Sequence, residues 1–422
     1  MKEVLSLFLR ASAGTGLNMF IGLIRNKIIA SYLGPSGLGL ISMLQQLQAT
    51  LMPVATLGGD APLVQGLACR SNSKRSSFLV AATTALMCSW LCCGVVLFLF
   101  GESLGQLIVN DTSLIQPRLV SLMSIPILSS AISSFLIAIL TSIGAVSAVQ
   151  FAQIIGNLVG LCTAIPMVAY WQSGGGIPVV LFLTSIPIAS ILFSAISISR
   201  RPAAAALISA FRLSAFQWDE LRSFLEFGSV TVLTGLITTS TWLFIRREIL
   251  LQLGEESLGL FTATVSLSGL SLSLLSTALM SFYLPRFSAV DAGKKRELLR
   301  SVFFIVLIVA ILFFVALQIC SEQFIRILFS EKFLPMTSLL RWWVGGDTLR
   351  SISYVFAIPV FSGRHLRFAL FSEVIFSVGL LVGSYFAINI SGNLVSLGYV
   401  YCITYCCYLL TTWIFAKSND YA

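Results

Sequence analysis

The sequence predicts an all-α integral membrane protein, with about twelve transmembrane helices in two six-helix lobes related by a pseudo-twofold axis along the membrane normal. Three observations carry this expectation. Of 422 residues, 57% are hydrophobic and only 10% charged, and a mean hydropathy of +0.94 leaves more apolar surface than a soluble core of this size can bury. The apolar runs reach the ~20 residues that a helix needs to cross a bilayer, whereas a β-barrel would alternate over segments of ~10 residues. Finally, Leu33-Gly34-Pro35-Ser36-Gly37-Leu38-Gly39-Leu40 is echoed by Leu253-Gly254-Glu255-Glu256-Ser257-Leu258-Gly259-Leu260 at an offset of 220, the mark of an internal duplication.

The expected spans follow in order. The first, 9–33, closes at Gly34-Pro35, and the second, 38–67, carries Pro53, Gly58-Gly59 and Pro62. The third, 77–100, follows Arg70, Lys74 and Arg75; the fourth, 118–141, contains Pro126; the fifth, 148–171, contains Pro166; and the sixth, 177–199, stops at Arg200-Arg201. The second series is 224–253, 258–285, 298–320, 338–361, 367–389 and 394–416, with Pro359 in its fourth member. Proline and glycine free backbone groups that must find partners in neighbouring helices or cavity water, which suits helices that bend during transport.

A second echo supports the duplication. Gly144 with Val159-Gly160-Leu161 matches Gly363 with Val378-Gly379-Leu380 at an offset of 219. The expected domains are an N-terminal lobe at 1–200, a cytoplasmic interfacial linker at 201–222 and a C-terminal lobe at 223–422. Six spans precede the repeat, so both copies insert in one orientation and cargo is expected between the lobes.

Basic residues fall in alternate loops: Arg70, Lys74 and Arg75; Arg200, Arg201, Arg212 and Arg222; Arg286, Lys294, Lys295, Arg296 and Arg300; Arg364 and Arg367. The intervening loops hold little beyond Arg326 and Lys332, which places the basic loops and both termini in the cytoplasm. That pattern accounts for most of the net charge of +9 without nucleic acid as a partner. The nine cysteines lie mostly within apolar runs and read as small buried hydrophobes. Cys402 and Cys406 share a helical face without a histidine or acid to complete a metal site, so neither metal nor cofactor is expected. No Walker-type phosphate loop is present in the sequence.

Function is sought among ionisable residues inside the spans, because each costs ~2.5–3.5 kcal/mol at a helix centre on insertion scales. The candidates are Arg25, Lys27, Arg246, Arg247, Arg341 and Arg350. Residues two apart point ~160° away from each other, so Arg25 and Lys27 do not both face one cavity squarely, and Arg25 is the better placed. Arg25 shares a stripe with Asn18 and Gly22, while Lys27 is near enough to the outer end to snorkel. Glu248 stands beside Arg247 as a neutralising partner, and Asp347 and Arg350, three apart, are expected to touch. Arg341 with Trp342 and Trp343 reads as an interfacial belt. Asp60, Glu373 and Glu226 are candidates for ion coupling or charge pairing. Gln45, Gln46 and Gln48 offer amides either to cargo or to neighbouring helices.

The stretch Leu328-Phe329-Ser330-Glu331-Lys332-Phe333, then Trp343-Val344-Gly345-Gly346-Asp347, Arg350, Tyr354, Leu366-Arg367-Phe368 and Glu373, resembles the Wzx lipid-linked oligosaccharide flippases. The Leu-Gly-Pro-x-Gly-Leu-Gly turn at 33–39 and Tyr283-Leu284-Pro285-Arg286-Phe287 are similar too. These flippases belong to the multidrug/oligosaccharidyl-lipid/polysaccharide superfamily, and the likeness is greatest to the branch handling O-antigen and enterobacterial common antigen. It implies two lobes opening as a V in the bacterial inner membrane. It also implies transfer of an undecaprenyl-pyrophosphate glycan to the periplasmic leaflet by alternating access, membrane lipids as surroundings, and a polymerase or ligase acting downstream.

Such a cargo cannot shed its water into hydrocarbon, so a polar, cationic central cavity is expected. Arg25, Lys27, Arg246 and Arg247 are its expected phosphate contacts, since a guanidinium fork matches phosphate oxygens. Asn18, Gln45 and Gln46 are its expected polar lining. The chain is not expected to be an enzyme: a membrane-embedded glycan polymerase or ligase would carry a sizeable outer loop, and the single histidine, His365, lies in a cytoplasmic turn. An ion-coupled exporter of small drugs on the same fold is the remaining alternative, although a cation site calls for acids and aromatics rather than arginines.

Overall fold

The computed structural model describes residues 2–58, 60–68, 70, 72–109, 118–171, 176–202, 216–279, 283, 286–287, 292–362 and 366–418. Its regular elements are helices. In chain order they are α1 (Lys2–Ala55), α2 (Asp60–Ala68), α3 (Asn72–Val109), α4 (Leu119–Leu122), α5 (Ser124–Ser142), α6 (Val146–Ala169) and α7 (Ile177–Ser199). There follow α8 (Trp218–Ala278), α9 (Ala292–Leu328), a 3₁₀ turn (Glu331–Met336), α10 (Thr337–Ser362), α11 (Leu366–Ser391) and α12 (Val395–Ser418).

Among the described residues, nine helices are long and apolar enough to cross a membrane. Two of these are far longer than one crossing, Gly14–Ala55 with 42 residues and Trp218–Thr277 with 60. Each is broken by one glycine: Gly34 has φ 66° and ψ −168°, and Gly254 has φ 86° and ψ 175°. Positive φ with ψ near 180° is a region that essentially only glycine occupies, so each break is written by that residue. Pro35 follows Gly34 and suits the restart of a helix, where its missing N–H leaves no bond unmade.

The expected span 38–67 needs correction. Its helix stops at Ala55, the chain turns through Leu57 (φ 47°) and Gly58 (φ 98°), and α2 restarts at Asp60. The expected limits of the third and ninth spans are too short, because α3 and α9 run beyond the apolar core into polar ends. The expected linker at 201–222 lies mostly outside the described residues, its final five residues being the first turn of α8.

The outward surface is apolar. The most apolar stretch of α9 has mean hydropathy 3.2 yet is only 17% buried within the protein, with Ile305, Ile308, Leu312 and Ile319 facing outward. Such a surface is stable against hydrocarbon, and the chain is a multi-pass membrane protein. The cysteines follow this surface: Cys88, Cys92, Cys162, Cys406 and Cys407 are exposed. Their expected burial in the protein interior is therefore corrected, since a thiol is apolar enough to face lipid.

The chain packs into two compact units. One gathers Met1–Ser12, Ile29–Ser42 and Phe244–Ala422; the other gathers Ala13–Ile28 and Met43–Leu243. In the first, Tyr283, Phe287, Val355 and Phe356 form a core cluster. In the second, Phe78, Leu79, Ile139 and Phe224 do so, and Phe78 meets Phe224 edge to face at 5.9 Å. Arg70 locks the start of α8 to this cluster: its Nε donates to Glu220 at 2.6 Å, its Nη2 to Ser223 at 2.9 Å, and its guanidinium lies 4.0 Å over the Phe78 ring.

Candidate functional site

In the second unit the intramembrane cation expected at Arg25 is present and has company. Arg25 Nη1 donates to Asn157 Oδ1 at 3.4 Å, and Asn157 Nδ2 donates to Asn18 Oδ1 at 3.0 Å. The stripe of Asn18 and Arg25 on α1 is thus joined to α6. The guanidinium lies 5.8 Å from the Phe182 ring of α7. A Cβ at Gly160 would collide with the Ile186 side chain at 2.6 Å and stand 3.4 Å from Arg25 Nη1, so glycine there lets α7 pack close beside the cation. Arg25 Nε is buried without a hydrogen-bond partner, and among the described residues no carboxylate pairs with this guanidinium.

Beside this network lies a polar pocket of about 360 Å³, and Asn157 belongs to both. Gln45 and Gln48 of α1, Ser130 and Ser134 of α5, Gln153 of α6 and Ser190 of α7 line it, with no charged residue among its walls. Gln48 donates to Ser130 Oγ at 2.7 Å. Gln46, expected alongside Gln45, instead donates to the Thr239 carbonyl at 3.0 Å, a carbonyl that also accepts from Thr50 at 3.1 Å. It ties α1 to α8 and lies outside this lining.

The other expected residues belong elsewhere. Lys27 is exposed. Arg247 pairs with Glu248 at 2.9 Å. Arg246 is buried at 9% exposure. Its Nη1 donates to Ser42 at 3.3 Å and to Thr262 at 3.0 Å, and its guanidinium lies 5.4 Å from the Phe261 ring. Asp60 begins α2, and its side chain lies outside the described residues.

Asp347 and Arg350 do not form the expected direct pair. Tyr401 stands between them: its hydroxyl donates to Asp347 Oδ1 at 2.6 Å and accepts from Arg350 Nη1 at 3.4 Å. Arg350 Nε donates to Tyr354 at 3.0 Å, and its guanidinium lies 5.3 Å from the Tyr405 ring. Glu373 lies beside Tyr408 at the edge of this aromatic group. Trp343 does not face outward as a belt residue would; it is 3% exposed and stacks on Tyr401 at 3.9 Å, whereas Trp342 is on the outward surface.

Gln153, Asn157 and Ser190 escaped the sequence reading. A signal existed: Gln153 and Asn157 are four apart on one helical face, beside the small-residue pair Gly156 and Gly160 that lets α7 approach closely. Tyr401 carried no such signal, because its relation to Asp347 spans 54 residues of chain.

The fold and the polar network define a multi-pass membrane protein with a polar site among its helices. Residues 28–338 match the family described as polysaccharide biosynthesis protein, and the chain belongs to that family. The lipid III flippase of Escherichia coli strain K12 is 24% identical over 417 residues, 95% of this chain and 97% of that one, and the lipid III flippase of Shigella flexneri matches equally. The lipid II flippase MurJ, in its inward closed conformation, shares the fold at a TM-score of 0.76 and 14% identity, over 97% of this chain and 88% of that one. An inward-facing multidrug resistance MATE transporter of the MOP superfamily also reaches 0.76, at 13% identity and 95% of each chain. These relatives are flippases and transporters, not catalysts of a chemical reaction.

Proposed function

We propose that the protein is a flippase carrying an oligosaccharide linked through pyrophosphate to undecaprenol from the cytoplasmic to the periplasmic leaflet of a bacterial inner membrane. The observation that carries this reading is Arg25, a part-buried guanidinium with an unsatisfied N–H and no paired carboxylate among the described residues. A cation so placed favours an anionic guest, and its planar fork suits a phosphate oxygen pair. The names of the curated relatives, both lipid III flippases, support a lipid-linked cargo.

Arg25 holds the pyrophosphate with Asn18 and Asn157 behind it, and access alternates between the two faces of the membrane. Both termini lie in the cytoplasm, as the basic loops suggest. The lobes at 1–200 and 223–422 act as the moving halves, and the glycan passes to a polymerase or ligase outside. An inside-negative potential favours export by ~2.3 kcal/mol per charge per 100 mV, so two charges gain ~4.6 kcal/mol without any coupled ion. The MATE-like fold also admits export of small drugs, but an unpaired cation disfavours the cationic ones.

The test is transport in proteoliposomes holding a fluorescent undecaprenyl-pyrophosphate oligosaccharide. Protein-dependent appearance of the glycan on the opposite leaflet is expected. Absence of flipping, combined with uptake of organic cations by the same vesicles, would overturn the reading in favour of drug export.

A further inference from the structure

We propose that the pocket between α1, α5, α6 and α7 is a saccharide subsite that takes a neutral, hydroxyl- and amide-bearing sugar of the cargo, one or two rings in size. The inference rests on the flippase reading and adds a location and a selectivity to it. About 360 Å³ falls at the low end of the ~300–1,000 Å³ typical of small-molecule sites, room for a short sugar unit and not for a whole glycan chain.

The chemistry of the walls selects the guest. Carboxamides and hydroxyls donate and accept at once, which matches sugar hydroxyls and acetamido groups, and no wall charge is present to neutralise an acidic sugar. One of these groups awaits a partner: Ser190 is 4% exposed and its buried Oγ has no hydrogen bond among the described residues, while the half-buried Gln45 and the exposed Gln153 border the same pocket. Buried polar atoms are normally satisfied, so a wall that leaves one open is matched to something outside the chain.

The repeat gives an independent argument. At the offset of 220, Ser130 and Ser134 correspond to Arg350 and Tyr354; at the offset of 219, Asn157 corresponds to Phe376. In the C-terminal copy these larger side chains gather with Tyr401 and Tyr405, with Arg350 donating to Tyr354 at 3.0 Å and Phe376 lying 4.6 Å from Tyr405. The corresponding positions thus carry larger side chains in contact with one another in one copy, and small or amide side chains bordering the pocket in the other. Asn157 connects the pocket to Arg25, so pyrophosphate on the arginine would deliver the first sugars to the amides.

The experiment compares two probes on the full-length protein in nanodiscs: undecaprenyl pyrophosphate without sugar, and the same lipid carrying a neutral N-acetylated disaccharide. Gln153→Leu, Ser190→Leu and the milder Gln153→Asn are measured against wild type, each checked for an unchanged melting temperature. The account expects the glycosylated lipid to bind wild type more tightly than the bare lipid. The leucine variants should lose about fivefold or more of that affinity, as expected for lost hydrogen bonds, with bare-lipid affinity unchanged. Arg25→Ala should weaken both probes. Equal affinity of wild type for the two probes, or leucine variants that bind both as wild type does, would overturn the subsite while leaving the flippase reading intact. Wild type that binds neither probe would overturn both.

Discussion

Ser42 and Thr262 stand 220 positions apart in the sequence, and their hydroxyls meet at 2.7 Å. They are equivalent positions of the internal repeat. Gly39 and Gly259, equivalent as well, approach so closely that a Cβ on Gly39 would lie 2.7 Å from the Gly259 nitrogen. Contact between equivalent positions is what a local two-fold generates, and Arg246 clamps it by donating to both hydroxyls. Thr262→Val keeps the shape and removes one hydroxyl from a buried site, so it should destabilise the protein by about 1–3 kcal/mol. Thermal unfolding in detergent measures this, and an unchanged melting temperature would deny the clamp its structural role.

The paired breaks at Gly34 and Gly254 make a second expectation. Alanine at either position must occupy a backbone region reserved for glycine, at about 1–3 kcal/mol. No heavy atom stands within 4 Å of a Cβ built at either site, so the effect is conformational and not steric. Gly34→Ala and Gly254→Ala should lower the melting temperature similarly. A large effect at one site and none at the other would contradict their equivalence.

Arg70 and Glu220 offer a third. Their side chains are 18% and 11% exposed, and the ion pair is reinforced by Ser223 and Phe78. Glu220→Gln retains an acceptor but removes the charge assistance, which is worth about 1.5–3 kcal/mol for bonds to charged groups. Cysteine cross-linking or protease accessibility at the start of α8 reports the release, and wild-type protection in the variant would count against the lock.

The Asp347, Tyr401 and Arg350 chain should behave as one unit. Tyr401→Phe and Asp347→Asn, made singly and together, should show a coupling of about 0.5–3 kcal/mol in unfolding free energy, the range for contacting residues. Strict additivity would mean that the 2.6 Å contact carries no energy.

Some of this was legible in the chain and some was not. The glycines at 34 and 254 announced both the repeat and the breaks, because a backbone conformation closed to other residues leaves a mark at one position. Arg25 was legible because a cation in an apolar run is anomalous by itself, and Asn18 because it shares the same helical stripe. Arg25 and Arg246 are not equivalent positions of the repeat: at the offset of 220 Arg246 aligns with Asn26, Arg247 with Lys27, and Arg25 with Ile245. Arg25 therefore has no charged counterpart. The bridge through Tyr401 and the burial of Trp343 depend on which face of α12 meets α10, and that is decided by tertiary packing rather than by any local pattern. The pocket lay between these cases, since Gln153 and Asn157 displayed their spacing but Ser130 and Ser190 gain meaning only once α5 and α7 are in place.

The most direct test of the account is the rate of flipping of undecaprenyl-pyrophosphate oligosaccharide in proteoliposomes for wild type, Arg25→Lys and Arg25→Ala at matched reconstitution and melting temperature. The account predicts near-complete loss in Arg25→Ala and partial retention in Arg25→Lys, which keeps the charge but not the planar fork. Wild-type flipping by Arg25→Ala would contradict it, because the pyrophosphate would then be held elsewhere.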